Sequence, residues 1–168
     1  MKMMLTVTLL VCAMMALTSA AGEAPMLTSS LNWFSGDNPT NCPGGWKPSD
    51  GRCFNYVPTT MSWAHAEKHC LNLGGNLASV HSYQEYNVIQ SMILDETQRY
   101  PNTWLGGNDA TEEGVWLWSD GTPFDFNYWS VGEPDGSGQC LVMNYGEHKK
   151  FDDQPCRGRK PFVCAIKL

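Results

Sequence analysis

Residues 132–156 read GEPDGSGQCLVMNYGEHKKFDDQPC. Glu133 and Asp135 flank Pro134, Asp152 and Asp153 follow Phe151, and Cys140 and Cys156 bracket the second acidic pair. A hard divalent cation such as calcium takes six to eight oxygens, so it needs several carboxylates or carbonyls to converge. Acidic residues on a solvated loop ordinarily carry no such meaning. A proline between two of these and a cysteine frame around the others point to an oxygen-rich cation site on a stapled loop.

The cysteines place that loop in an exported protein. Lys2, an apolar run from Leu5 to Leu17, and the small residues Ser19, Ala20 and Ala21 form the pattern of a secretory signal peptide over residues 1–20. The run is short for a bilayer, which takes about 20 apolar residues, and no second one follows. Cleavage removes Cys12 and leaves Cys42, Cys53, Cys70, Cys140, Cys156 and Cys164. An even set in an exported chain reads as disulfides, with fifteen pairings open on sequence alone. Zinc is disfavoured because no Cys-x-x-Cys pair occurs and the histidines are scattered.

Residues 21–41, rich in Ser, Gly, Pro and Asn, read as a flexible N-terminal arm or propeptide, and residues 42–168 suffice for one domain with a real core. The net charge of −6 becomes −7 once Lys2 is lost. That balance argues against nucleic acid and anionic membrane as partners, both of which need Lys and Arg clusters. No Asn-x-Ser/Thr sequon free of proline is present, since Pro39 follows Asn38.

Gly51–Val57 alternates polar and apolar residues, as a strand does. Trp63, Ala66, Cys70 and Leu73 share one helical face over residues 62–73, and Gly74-Gly75 ends that helix. Ser82 with Glu85 three residues on forms a capping box for a second helix through Val88, Ile89 and Met92. Val115–Trp118, Cys140–Met143 and Phe162–Ile166 read as short buried strands. Two helices followed by strands and long loops give an α+β class.

In this order, Cys42-Pro43 with Trp46, the helix bearing Cys70, and Leu77-Ala78-Ser79-Val80-His81-Ser82 carry a family resemblance. Trp104-Leu105-Gly106-Gly107, Trp118-Ser119-Asp120-Gly121-Thr122, Gly132-Glu133-Pro134-Asp135, Cys156 and Phe162-Val163-Cys164 continue it. Residues 42–168 resemble a C-type lectin-like domain, and the leader and early domain resemble its fish branch of ladderlectin-like lectins and type II antifreeze proteins. The resemblance implies two helices packed on antiparallel sheets, a long disulfide-stapled loop region, and the pairs Cys42–Cys53, Cys70–Cys164 and Cys140–Cys156. It also implies a cis Glu133–Pro134 peptide and calcium ligation by Glu133, Asp135, Asp152 and Asp153. Sugar contact is implied for Glu133, Asp135, Gln139 and Asp152.

The chain departs from the family in two ways. Sugar-binding members carry a further carboxylate two residues before the cysteine of this tract, where this chain has Gly138. Asp135 and Asp152 stand where mannose-binding relatives often have amides. Ionised carboxylates only accept hydrogen bonds, so Gln139, Asn144 or a water must supply any donor to a sugar. Glu-Pro-Asp also mixes the mannose-type and galactose-type triplets, which leaves the sugar open.

The expectation is a secreted lectin that recognises cell-surface or microbial glycans in defence, with calcium as cofactor. The alternatives are a type II antifreeze protein, whose members generally carry ten cysteines, and a venom-like or protein-binding module that needs no calcium. With every mature cysteine paired, any homo-oligomer is non-covalent. Trp104, Gly106 and Gly107 read as core packing and close backbone approach, and Trp116, Trp118 and Trp129 as core. No enzymatic activity is expected. His65 and His69 lack the adjacent Glu of a zinc helix, and neither His81 nor His148 has a nucleophile partnered in sequence.

Overall fold

The computed structural model describes residues 42–168; the signal peptide and arm expected over residues 1–41 lie outside them. A hairpin of β1 (Lys47–Ser49) and β2 (Arg52–Met61) leads into α1 (Trp63–Asn72), then β3 (Asn76–Leu77) and α2 (Tyr83–Thr97). The second half contains β4 (Thr103–Asn108), β5 (Leu117–Trp118), β6 (Cys140–Tyr145), β7 (Lys150–Gln154) and β8 (Lys160–Lys167). The strands join one sheet in the order β1-β2-β8-β4-β6-β7, with β3 against β8 and β5 against β4. The expected antiparallel arrangement is corrected at one place. β4 and β8 run parallel where Trp104 meets Phe162, so the sheet is mixed.

The central strands are buried on both faces. Neighbours along a strand point to opposite sides, and here consecutive residues enter different cores. Leu105, Leu141 and Val163 pack with Phe54, Tyr86, Ile89 and Ile93. Trp104, Val142 and Phe162 pack with Ala66, Cys70 and Leu77. The two helices therefore cover opposite faces. Val115–Trp118 differs from the expected buried strand: only Leu117–Trp118 is strand, Val115 and Leu117 are exposed, and Trp118 is buried. The run alternates, with its indoles inward and its aliphatic side chains outward.

The disulfides pair Cys42 with Cys53, Cys70 with Cys164 and Cys140 with Cys156. Cys70–Cys164 spans 94 residues and ties α1 to β8. In the loop-entropy account such a closure contributes about 4–5 kcal/mol. A Cβ on Gly106 would lie 2.6 Å from the Leu77 carbonyl oxygen, so β4 approaches β3 closely only because a glycine stands there.

Ser82 caps α2 by accepting from the Glu85 N–H at 3.2 Å. Glu85 reaches back to the His81 N–H at 2.8 Å and pairs with Arg52 at 2.5 Å. The capping box thus also ties α2 to β2. Ser82→Ala is expected to lower stability by about 1 kcal/mol, read as a lower denaturant midpoint at unchanged slope. Glu67 accepts from the Leu77 N–H at 2.8 Å and the Ser119 hydroxyl at 2.9 Å, a structural hub rather than a metal ligand.

Candidate cation and glycan site

β7 is the edge strand, and its register against β6 sets Asp153 opposite Leu141 and Asp152 opposite Val142. The segment between β5 and β6 folds back alongside this edge, with a cis Glu133–Pro134 peptide. Asp153 is fully buried and organises it. One carboxylate oxygen accepts from the Asp135 N–H at 2.9 Å and the other from the Gly138 N–H at 2.9 Å. The Ser137 hydroxyl donates to the Asp153 carbonyl at 3.0 Å.

Glu133, Asp135 and Asp153 each bring a carboxylate oxygen within 4.8 Å of the others. Asp152 lies outside that triplet. It borders the same cluster, since its charge acts on Glu133. Asp152 is buried, accepts from the Gln154 amide at 2.6 Å and lies beside Glu133, whose carboxyl its charge pushes up.

Among the described residues no Lys, Arg or His forms a salt bridge with these four groups. The carboxylates crowd one another, and titration reflects it. Burial, then the charges of Asp152, Asp135 and Asp153, push the Glu133 carboxyl up to about 7. Burial is also the main cause of the raised Asp152 carboxyl, with Asp153 and Asp135 adding to it against the Gln154 hydrogen bond. Asp152 and Glu133 raise the nearby Tyr145 phenol. Glu133 Oε2 is buried without a hydrogen-bond partner. A hard divalent cation fits this donor set. It would pair the orphaned oxygen and favour the ionised form of every carboxylate.

The candidate amides occupy different places. Asn144 is buried and structural: its amide oxygen accepts from Gln90 at 3.0 Å and its amide N–H donates to the Pro101 carbonyl at 3.3 Å. It cannot serve a sugar. Gln139 is exposed, and its backbone carbonyl accepts from the Asp109 N–H. The amide seen beside these carboxylates is Gln154, which follows the acidic pair directly and donates to Asp152 at 2.6 Å.

Trp118 is core, whereas Trp116 and Trp129 are half-buried and line an open groove of about 730 Å³ together with Phe124, Asp125, Glu133 and Pro134. His81 does have partners in space. Its Nδ1 lies 2.9 Å from Asp125 and its Nε2 lies 3.1 Å from both Ser79 and Thr122. Ser79 is fully buried, donates to Asp120 and accepts from Arg52, so this Asp-His-Ser line has no free nucleophile.

Residues 59–166 match the lectin C-type domain family. The chain is 41% identical to a type-2 ice-structuring protein of Hemitripterus americanus, over 97% of this chain and 99% of that protein. It is 36% identical to ladderlectin of Oncorhynchus mykiss, over 94% and 90%. Against the galactose-specific lectin nattectin of Thalassophryne nattereri it is 38% identical, over 77% and 82%. A solved calcium-dependent type II antifreeze protein in its calcium-free form superposes with a TM-score of 0.71 at 36% identity, covering 75% of this chain and all of that one. With the two-faced sheet and three disulfides, these likenesses show that the chain belongs to the C-type lectin domain family.

Proposed function

We propose that this domain is a secreted lectin that binds glycans through a calcium ion held by Glu133, Asp135 and Asp153. The observation that carries the reading is the convergence of three carboxylates, with no salt-bridge partner among the described residues, beside a buried, orphaned Glu133 oxygen. Calcium, when bound, supplies a centre to which two neighbouring sugar hydroxyls can each offer a lone pair. The chain supplies the rest. Glu133 and Asp135 accept hydrogen bonds from those hydroxyls, Gln154 offers an amide N–H, and Asp152 holds Gln154 in place. The proposal includes extracellular location, a role in recognising microbial or cell-surface glycans, and no catalytic activity. No helix among the described residues is long and apolar enough to cross a membrane.

A glycan array probed with the purified domain in calcium and in chelator tests this. Binding in calcium that chelator removes is expected; no glycan bound under either condition would sink it. Ice binding is the second reading, favoured by the likeness to the ice-structuring proteins. Thermal hysteresis in a solution of the purified domain would put it first.

Calcium affinity is expected to fall with acid. Glu133 holds its proton below about 7 in the cation-free domain and must release it to bind the ion. Affinity should therefore drop by up to about tenfold per pH unit below 7 and level off above it. The cation-free fold responds in the opposite sense. Between the ordinary value of 4.5 and about 7 the folded Glu133 binds a proton that the unfolded chain does not, so stability rises as pH falls through that window. Calcium titrations between pH 5.5 and 8 check the first expectation, and denaturation midpoints in chelator check the second.

A further inference from the structure

A different groove opens where β2 and β8 fail to pair. Pro58 in β2 and Pro161 in β8 stand in the gap, and neither has an N–H to donate. The register jumps from Val57 opposite Phe162 to Met61 opposite Lys160, so Pro58, Thr59 and Thr60 together face Pro161. Extra residues of this kind bend a strand away from its partner. A groove of about 500 Å³ results, with Tyr56, Pro58, Thr60 and Pro161 along it. The chain leaving α2 completes the lining with Thr97, Arg99, Tyr100 and Pro101. That chain is fixed in place. Gln98 ends α2 in the left-handed region at φ 56°. The Thr97 hydroxyl donates to the Ile93 carbonyl at 2.7 Å and accepts from the Arg99 N–H at 3.2 Å. The Pro101 carbonyl accepts from the Thr103 hydroxyl at 2.8 Å and the Asn144 amide at 3.3 Å.

These bonds occupy the acceptors of the groove. The Thr60 carbonyl is taken as well, by the Arg159 guanidinium at 2.7 Å. What remains for a ligand are proline and tyrosine rings, a few hydroxyls and the Arg99 guanidinium. Among the described residues neither Arg99 nor Arg159 forms a salt bridge, although the whole chain carries a net charge of −6. Burial, then the charge of Glu96, raise the Tyr56 phenol, which keeps its hydroxyl a donor. We propose that this groove binds a small amphipathic anion, a carboxylate carried on a flat ring body. A sugar would find too few acceptors for its hydroxyls, and a cation would meet two guanidinium groups. A flat apolar body covers the proline and tyrosine rings, and its carboxylate matches the planar fork of Arg99. The volume falls within the range of small-ligand sites, about 300–1,000 Å³. Proline walls hold one shape, so little ordering is needed on binding. The groove shares no residue with the cation cluster and stands apart from the lectin reading.

The test titrates naphthoate into the purified domain, followed by calorimetry and by backbone amide NMR. Chelator is present throughout, so the cation cluster takes no part. Saturable binding with a Kd of about 1 mM or below is expected for a fragment of this size. Amide shifts should centre on residues 56–60 and 97–100. Naphthylmethanol has the same rings without the charge, and laurate has the charge on a chain. Each should bind at least about tenfold more weakly than naphthoate. Arg99→Ala, at an exposed position, should bring naphthoate down to the level of naphthylmethanol. Thr60→Trp, also at an exposed position, should fill the groove and abolish naphthoate binding. Should that variant fail to fold, Arg99→Ala and the pattern of amide shifts decide alone. No saturable naphthoate binding, or shifts centred elsewhere, overturns the site. So does naphthylmethanol or laurate binding as tightly as naphthoate, or affinity untouched by Arg99→Ala. Glycan binding in calcium by Arg99→Ala should match wild type, so a failure of the lectin reading is seen separately.

Discussion

Asp153→Ala is expected to abolish saturable calcium binding and to loosen the loop that carries the other ligands. Asp153 is a proposed ligand and also the anchor for two backbone N–H groups, at Asp135 and Gly138. Hydrogen bonds to a charged acceptor contribute about 1.5–3 kcal/mol each. Deleting the carboxylate also relieves repulsion with Glu133, so the net loss in the cation-free domain should be about 2–4 kcal/mol. Calcium affinity should fall by at least about 100-fold, since a charged ligand and the positioning of Asp135 are lost together. Calorimetric calcium titration and chemical denaturation in chelator read the two effects separately. An Asp153→Ala protein that binds calcium like wild type would remove the residue from the site. Lost binding at unchanged stability would leave it a ligand but not an anchor.

Gly138→Glu restores the carboxylate that sugar-binding relatives carry at this position, yet it is expected to weaken the site. A Cβ on Gly138 would lie 1.9 Å from the Gln154 carbonyl carbon and 2.3 Å from the Pro155 nitrogen, both backbone atoms of the opposing segment. Those atoms cannot move aside as a flexible side chain would. The loop must lift, and the Gly138 N–H then leaves Asp153. Overpacking of about 1–3 kcal/mol and a lost charge-assisted hydrogen bond together suggest a cost of about 3–5 kcal/mol. Gly138→Ala should lose nearly as much, because the clash begins at Cβ. Denaturation midpoints of both variants check the stability, and calcium titration checks the function. Tighter calcium binding by Gly138→Glu would show that the loop accommodates a side chain and that the missing carboxylate was the sole defect.

The Gly138 position shows where sequence reading stops. A missing carboxylate is visible in the string of residues, and its reason is not. Only the packing of residues 135–138 onto β7 reveals that no side chain fits there. Asn144 and Gln154 make the same point in opposite directions. Both are amides near the acidic tract in sequence. Asn144 points into the fold and bonds Gln90 and Pro101, whereas Gln154 lies against Asp152. Strand register assigns them, and register follows from long-range pairing.

What the residue order determined was everything local or periodic. The spacing of Trp63, Ala66 and Cys70 places α1, the Ser82–Glu85 pair opens α2, and the ordered family motifs carry the fold. The Glu-Pro-Asp and Asp-Asp signals placed the acidic cluster because their chemistry is unusual in so short a span. Tertiary structure alone decided which carboxylates converge. Glu133, Asp135 and Asp153 meet across an 18-residue gap between Asp135 and Asp153 because β7 forms the sheet edge along which the loop returns, and Asp152 borders them beside Glu133. The aromatic groove arises in the same way. Trp116 and Trp129 read as core from composition, and they are core on one face only, since nothing in a linear sequence says which side of a ring the fold leaves open.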